Sequence, residues 1–181
     1  MANKKGREGM LLVSVDNATT PTAFVDISTQ DNPSILALNW YEHDNVTDVE
    51  ENPSEEKADA STRRTMRFGY TAESNIAKSA TITFTMLNDP SDPMTKLLLE
   101  AEAAGTTVPM WDADGDPSAV TDSNDPVRGV AGNFSLLVRK SKPVKGLQTY
   151  QVTATVETLP FLTIADSAAD ATAVGAIGRS T

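Results

Sequence analysis

The stretch ATITFTMLNDPSDPMTKLLLEAEAAG, residues 80–105, holds two periodicities back to back. In its first part Ile82, Phe84 and Met86 alternate with Thr81, Thr83 and Thr85, the two-residue repeat of a strand with one buried and one wet face. In its second part Met94, Leu97, Leu98 and Ala101 fall at i, i+3, i+4 and i+7, a single apolar stripe on a helix. The residues between and beyond agree with this division. Asp92 can cap free helix amides, Pro93 suits the first helical position, and Gly105 can close the far end, so a helix is framed over 93–104.

Working outward, the same strand period returns in Tyr150, Val152, Ala154 and Val156, which alternate with Gln151, Thr153, Thr155 and Glu157. Both segments read as antiparallel strands whose outer face carries short uncharged groups. Weaker strand signals lie at Leu11–Val15, Thr22–Ile27, Ile35–Tyr41, Thr65–Tyr70, Thr107–Trp111 and Gly132–Arg139. Lys142–Gly146, with a proline and a glycine, reads as the turn of a hairpin leading to the strand at Tyr150. The expectation is a mainly β fold with one flanking helix. Residues 1–10 form an N-terminal arm and 11–164 one β domain. Within that domain a long acidic loop at 42–62 lacks large apolar side chains. Residues 165–181, small and polar, are expected to form a flexible or arm-like tail, because that composition does not repay its ordering entropy unaided.

Composition excludes several functions. With no cysteine there is no disulfide framework and no thiolate metal site. No segment approaches the roughly 20 apolar residues of a membrane-spanning helix, and the short run Leu11-Leu12-Val13 does not make a secretion signal, so synthesis in the cytoplasm is expected. A formal net charge of −10 argues against a protein that grips nucleic acid by its phosphates. The charges are also segregated. Glu42, Asp44, Asp48, Glu50, Glu51, Glu55, Glu56 and Asp59 lie among 42–59 with Lys57 as the sole base, whereas 128–145 holds Arg128, Arg139, Lys140, Lys142 and Lys145 without an acid. Such separation suits a surface with a complementary partner.

No arrangement of residues makes a convincing active site, and no cofactor is expected. Asp112, Asp114 and Asp116 open like a calcium loop, but Pro117 stands where the EF-hand pattern wants glycine and Ser123 where it wants glutamate. An acidic turn is the simpler reading. His43, the single histidine, sits among acids in a stretch expected to lack the rigidity that a general base needs. Trp40 and Trp111 lie on expected strands and read as core.

The order of these elements is what resembles a known family. The threonine-rich strand Ala80–Leu87, the polar passage Asn88–Asp92 into helix Pro93–Ala104, the strand Thr107–Trp111 and a closing pair of long strands joined by Lys142–Gly146 resemble the tail-tube proteins of long-tailed bacteriophages, over about Leu11 to Glu157. The resemblance implies a β-sandwich or split barrel, no enzymatic activity, and self-assembly into stacked, hexameric rings within the virion tail. Its implied partners are further copies of itself, a tape-measure protein and tail-end proteins, with DNA passing through unbound and no membrane involved. Together with the charge segregation it suggests a subunit interface in which the acidic stretch 42–59 docks on Arg139, Lys140, Lys142 and Lys145, or on Arg63, Arg64 and Arg67, of a neighbour. Two alternatives stay open: another virion component, such as a tail terminator, minor tail or decoration protein, and a calcium- or carbohydrate-binding β-module built on Asp112, Asp114, Asp116 and Trp111.

Overall fold

The alternation at 81–86 becomes the inner half of a long strand in the computed structural model, which describes residues 9–27, 31–43, 45–59, 73–121, 123, 126–142, 146–157 and 161–179. This strand, β4 (Glu73–Leu87), lies between β3 (Val46–Asp59) and β7 (Thr149–Val156), antiparallel to both. Ile82 stands opposite Ala154, Phe84 opposite Val152 and Met86 opposite Tyr150, so the apolar residues of both strands share one face. A slip of one residue would turn all of them to water, which is what fixes the register. Beyond β7 the sheet continues through β6 (Val127–Ser141), β5 (Val108–Ala113), β1 (Met10–Ser14), β2 (Trp40–Glu42) and β9 (Ile177–Arg179). A short β8 (Phe161–Ala165) pairs with the first part of β6. Among the described residues nine strands thus make one curled sheet, and every pairing there is antiparallel except β2 with β9.

Among the described residues the sheet is accompanied by helices α1 (Asn32–Leu36), α2 (Pro93–Ala104) and α3 (Ala168–Ala173). The longest, α2, has the bounds read from its caps. Asp92 accepts hydrogen bonds from the amides of Met94 and Thr95, at 3.0 and 3.2 Å, and Gly105 takes φ 66° to end the helix. Met94, Leu98 and Ala101 are buried in a core with Ile82, Phe84, Met86 and Phe134; Leu97 is half-buried. Each large apolar side chain buried there contributes about 1.5–3 kcal/mol, against about 1 for the cap, so packing dominates. β1 is buried on both faces, as its unbroken run of apolar residues requires. Leu11 and Val13 join the helix-side core. Leu12 joins a second core around Trp40 and Trp111, whose rings meet edge to face at 5.5 Å.

Four expectations change. Ile35–Tyr41 is not one strand: Pro33 starts α1 and only Trp40 onward is extended. Thr22–Ile27 makes a single bridge, Phe24 with Val15, because the Asp16 carboxylate collects the amides of Asn17, Thr22 and Ala23 into a turn that competes with a ladder. The acidic stretch read as a loop is a strand over Val46–Asp59, held by backbone pairing with β4 in place of a core. The C-terminal tail is ordered through Arg179. Ser167 caps α3, the Trp40 amide donates to the Ala176 carbonyl, and Ile177, Gly178 and Arg179 pair with β2. The sheet edge supplies the partners that the tail's own composition lacks. The expected strand at Thr65–Tyr70 lies outside the described residues.

Gly178 is where this docking is tightest, since a Cβ there would sit 1.5 Å from the Ala18 carbonyl oxygen. Gly178→Ala is therefore expected to release β9 at a cost of about 1–3 kcal/mol. Hydrogen exchange checks it: the Trp40 amide should exchange more than about tenfold faster while the amides of β4 and β7 keep their protection.

Candidate functional site

The face of the sheet opposite α2 is the first functional surface. Thr81, Thr83 and Thr85 of β4 stand beside Thr155, Thr153 and Gln151 of β7, which in turn stand beside Ser135, Leu137 and Arg139 of β6. All nine are half-buried or exposed. The strand alternation that fills the core therefore also lays down a wet wall rich in hydroxyls, with Leu137, half exposed, as its apolar exception.

The second surface is the margin of the sheet. β3 is a terminal strand, paired with β4 along its length and with nothing on its other side among the described residues. β4 pairs with β7 only over Thr81–Leu87, so Glu73–Ala80 and the matching part of β3 continue as a two-stranded arm. At about 3.3 Å per residue that extension reaches roughly 25 Å beyond the sheet. A long exposed edge is a template for another strand.

The third surface is a cleft of about 920 Å³ where the sheet curls the start of β3 toward β5 and β6. Its walls carry Glu42, Asp48, Glu51, Asp112, Asp114 and Arg128, and His43 lies at its floor. Glu42 is engaged by Arg179 at 2.6 Å, and Arg179 also reaches Asp116 at 3.4 Å. Asp112 is different: burial, then the neighbouring Glu51 and Asp114 carboxylates, push its pKa up to about 6. Burial raises Glu51 as well, although that side chain stays exposed.

His43 contradicts the expected lack of rigidity. It is 1% exposed, its amide donates to the Leu11 carbonyl, its ring meets Phe84 edge-on, and Nδ1 lies 3.7 Å from an Asp92 carboxylate oxygen. Burial lowers its pKa to about 4, opposed by Asp92, so it is neutral at pH 7. The Asp92 carboxylate beside it is committed to the α2 cap, accepting from the Met94 amide and the Thr95 hydroxyl.

The remaining candidate residues separate into groups. Asp114 accepts from the Arg128 amide, Asp116 accepts from Ser118 at the start of a short 3-10 turn, and Asp112 faces Glu51, so the three aspartates do not converge. No group of three or more metal-binding side chains occurs among the described residues. Glu50 and Glu51 are exposed on β3, Asp48 takes φ 55° at a bulge, and Glu55, Glu56 and Asp59 are on the arm. Arg139, Lys140 and Lys142 are exposed at the far end of β6, with Lys140 5.2 Å from the centre of the Tyr150 ring. Acidic β3 and basic β6 are thus held apart by β4 and β7, about 14 Å across the sheet. Asp44, Arg63, Arg64, Arg67 and Lys145 lie outside the described residues. The ion pairs of Arg179 had no sequence signal, because nothing in a short polar tail marks one arginine as a strand's anchor.

The described residues thus make a curled single sheet with one long flanking helix, a hydroxyl-rich face and an edge unpaired among them. No protein-family model matches the chain, and no curated protein does. Solved structures do share the fold. A chain from the tail of an empty gene transfer agent particle, refined with C6 symmetry, superposes with TM-score 0.59 at 10% identity, covering 89% of this chain and 99% of that one. A chain from the virion of the native gene transfer agent particle gives 0.58 at 11%, covering 89% and 99%. The SPP1 tail tube gives 0.59 at 12%, covering 92% of this chain and 83% of that one. The chain has the tail-tube fold.

Two titrations oppose each other in this site. Asp112, with its pKa raised from 3.8 to about 6, contributes stability below pH 4 that is lost as pH rises through 6. His43, lowered from 6.5 to about 4, contributes stability above pH 6.5 that is lost as pH falls through 4. Asp112→Asn is therefore expected to stabilise the dispersed subunit at pH 7.5, on the order of 1–3 kcal/mol. The variant should also lose more stability than the parent between pH 7 and pH 5, because only the His43 term remains. Urea denaturation at both pH values measures this.

Proposed function

We propose that this chain is the repeating subunit of a bacteriophage-type tail tube, a structural and non-enzymatic virion protein whose copies close into six-membered rings that stack into a hollow conduit. The observation that carries the reading is an agreement of fold over 89–92% of this chain and 83–99% of the tail structures it resembles. The unpaired edge of β3 supports it independently, since ring closure supplies edge strands with partners and removes the open template.

In this reading the threonine face of β4, β7 and β6 lines the lumen. A hydroxyl-rich wall within a net acidic protein, on which Arg139 is the one cation among the nine residues named, gives a passing DNA duplex little cationic foothold, and repulsion acts over roughly 8 Å at physiological salt. The two-stranded arm of β3 and β4 is long enough to cross to another subunit. Tape-measure and tail-end proteins are the partners this role requires inside and at the ends of the tube, with assembly in the host cytoplasm before incorporation into the tail. Acids on β3 face bases at the end of β6 between copies, where rim pairs worth about 0–1 kcal/mol each set register while buried apolar area supplies most of the affinity.

Negative-stain electron microscopy of the purified, concentrated protein tests the proposal. Long hollow cylinders of uniform diameter are expected. Isolated rings that never stack would indicate a terminator, and a persistently monomeric protein would contradict self-assembly.

A further inference from the structure

Another cavity lies apart from the surfaces described above. It is a mainly apolar groove of about 380 Å³, lined by Asn88, Asp89 and Pro90 of the passage after β4 and by Thr95, Leu99 and Ala103 of α2. Leu99, half-buried, is not part of the stripe Met94, Leu98 and Ala101 that packs α2 into the core, and it gives the groove an apolar wall. Leu147, 72% exposed, precedes Gln148, whose carbonyl accepts from the Asn88 amide, so apolar surface continues at the same end of the sheet. Apolar surface gathered in one place marks a partner's site. The margin is charged. The Ser91 hydroxyl and amide hold the Asp89 carboxyl below the usual carboxylate range, and Glu100 is paired with Lys96 at 3.8 Å on an exposed flank.

β4 sets this groove and the two-stranded arm at its opposite ends. The groove begins just past Leu87, whereas the arm ends at the pair Asp59 and Glu73, between which the chain runs through residues 60–72. In that segment Met66, Phe68 and Tyr70 alternate with Thr65, Arg67 and Gly69, and Arg63, Arg64 and Arg67 occur with no acid. Glu73 and Leu87 lie roughly 45 Å apart along the strand. Phe68, joined to Glu73 through residues 69–72, reaches at most about 18 Å from it. The groove of its own subunit is out of reach, and that of a copy displaced along the strand is not.

We propose that Phe68, with Met66 and Tyr70, docks in the α2 groove of a second copy, and that this contact stacks one ring on the next. The inference rests on the tail-tube reading and names where its arm lands. A groove at one end and its occupant at the other make a head-to-tail contact, which repeats without closing and so builds length. An aromatic side chain seated in an apolar groove supplies the affinity. The arginines of the same segment complement Asp89 and Glu100 at the margin, which favours this register over others.

Tube growth is compared by light scattering and electron microscopy for the parent, Phe68→Ser and Ala103→Arg, each verified as folded by circular dichroism. Ala103 is exposed on α2, and the longer side chain fills the groove without entering the core. Both variants are expected to form rings but to elongate at least about tenfold more slowly than the parent. Because the chain has no cysteine, Arg67→Cys and Ala103→Cys supply a second measurement. An equal mixture of these two variants, assembled into tubes and treated with a short bis-maleimide, should yield covalent dimers, and neither variant alone should. Elongation of Phe68→Ser or Ala103→Arg at the parent rate overturns the proposal. So does loss of rings together with tubes, which would place residues 65–70 within a ring, and so do mixed tubes that give no covalent dimer. A parent protein that forms no tubes instead overturns the tail-tube reading itself.

Discussion

Every strand carries two rows of backbone hydrogen-bonding groups, and among the described residues β3 uses only one of them. The remaining architecture follows from how that edge is placed. The alternation of Ile82, Phe84 and Met86 with three threonines fixes β4 in register against β7, and β4 in turn carries β3 outward as the last strand of the sheet. A core made by α2 and the inner faces of β4, β7 and β6 anchors one end of β4, while its other end runs on with β3 alone. The subunit is therefore well packed where it is thick and incomplete where it is thin. That incompleteness is a defect in a solitary protein and a joint in a polymer.

Charge is arranged on the same plan. Within one chain the sheet keeps acidic β3 and the basic end of β6 on either side of β4 and β7, so neither neutralises the other. Among the described residues Arg128 lines the acidic cleft, and Arg179 reaches it to anchor β9 through Glu42 and Asp116. Burial, then the Glu51 and Asp114 carboxylates, raises the pKa of Asp112, and burial raises that of Glu51.

Much of this was legible from residues alone. The bounds of α2 followed from Asp92, Pro93 and Gly105 because capping is local chemistry, and the paired threonine faces followed from period-two alternation. The path of 42–59 was not legible, since its strand is held by backbone pairing to β4 and its side chains carry no alternation. The C-terminal segment was hidden for a related reason. Its helix and strand are stabilised by β2 and by the close approach of Gly178 to Ala18, contacts distant in sequence. His43 was misjudged because acidic neighbours in sequence suggested solvent, whereas the chain turns there between β2 and β3 and buries the ring against Phe84. The charge segregation was plain in the sequence; that it produces a cleft depends on the curl of the sheet.

The central claim is that the free edge of β3 is completed by another copy. Hydrogen exchange, measured amide by amide along Val46–Asp59 in dispersed and in concentrated protein, reports on it directly. The account predicts that the β3 amides not used by β4 exchange freely when dispersed and become protected on concentration, together with no change in the core amides of β4 and β7. Protection of those β3 amides already in the dispersed subunit, or none at any concentration, would contradict it.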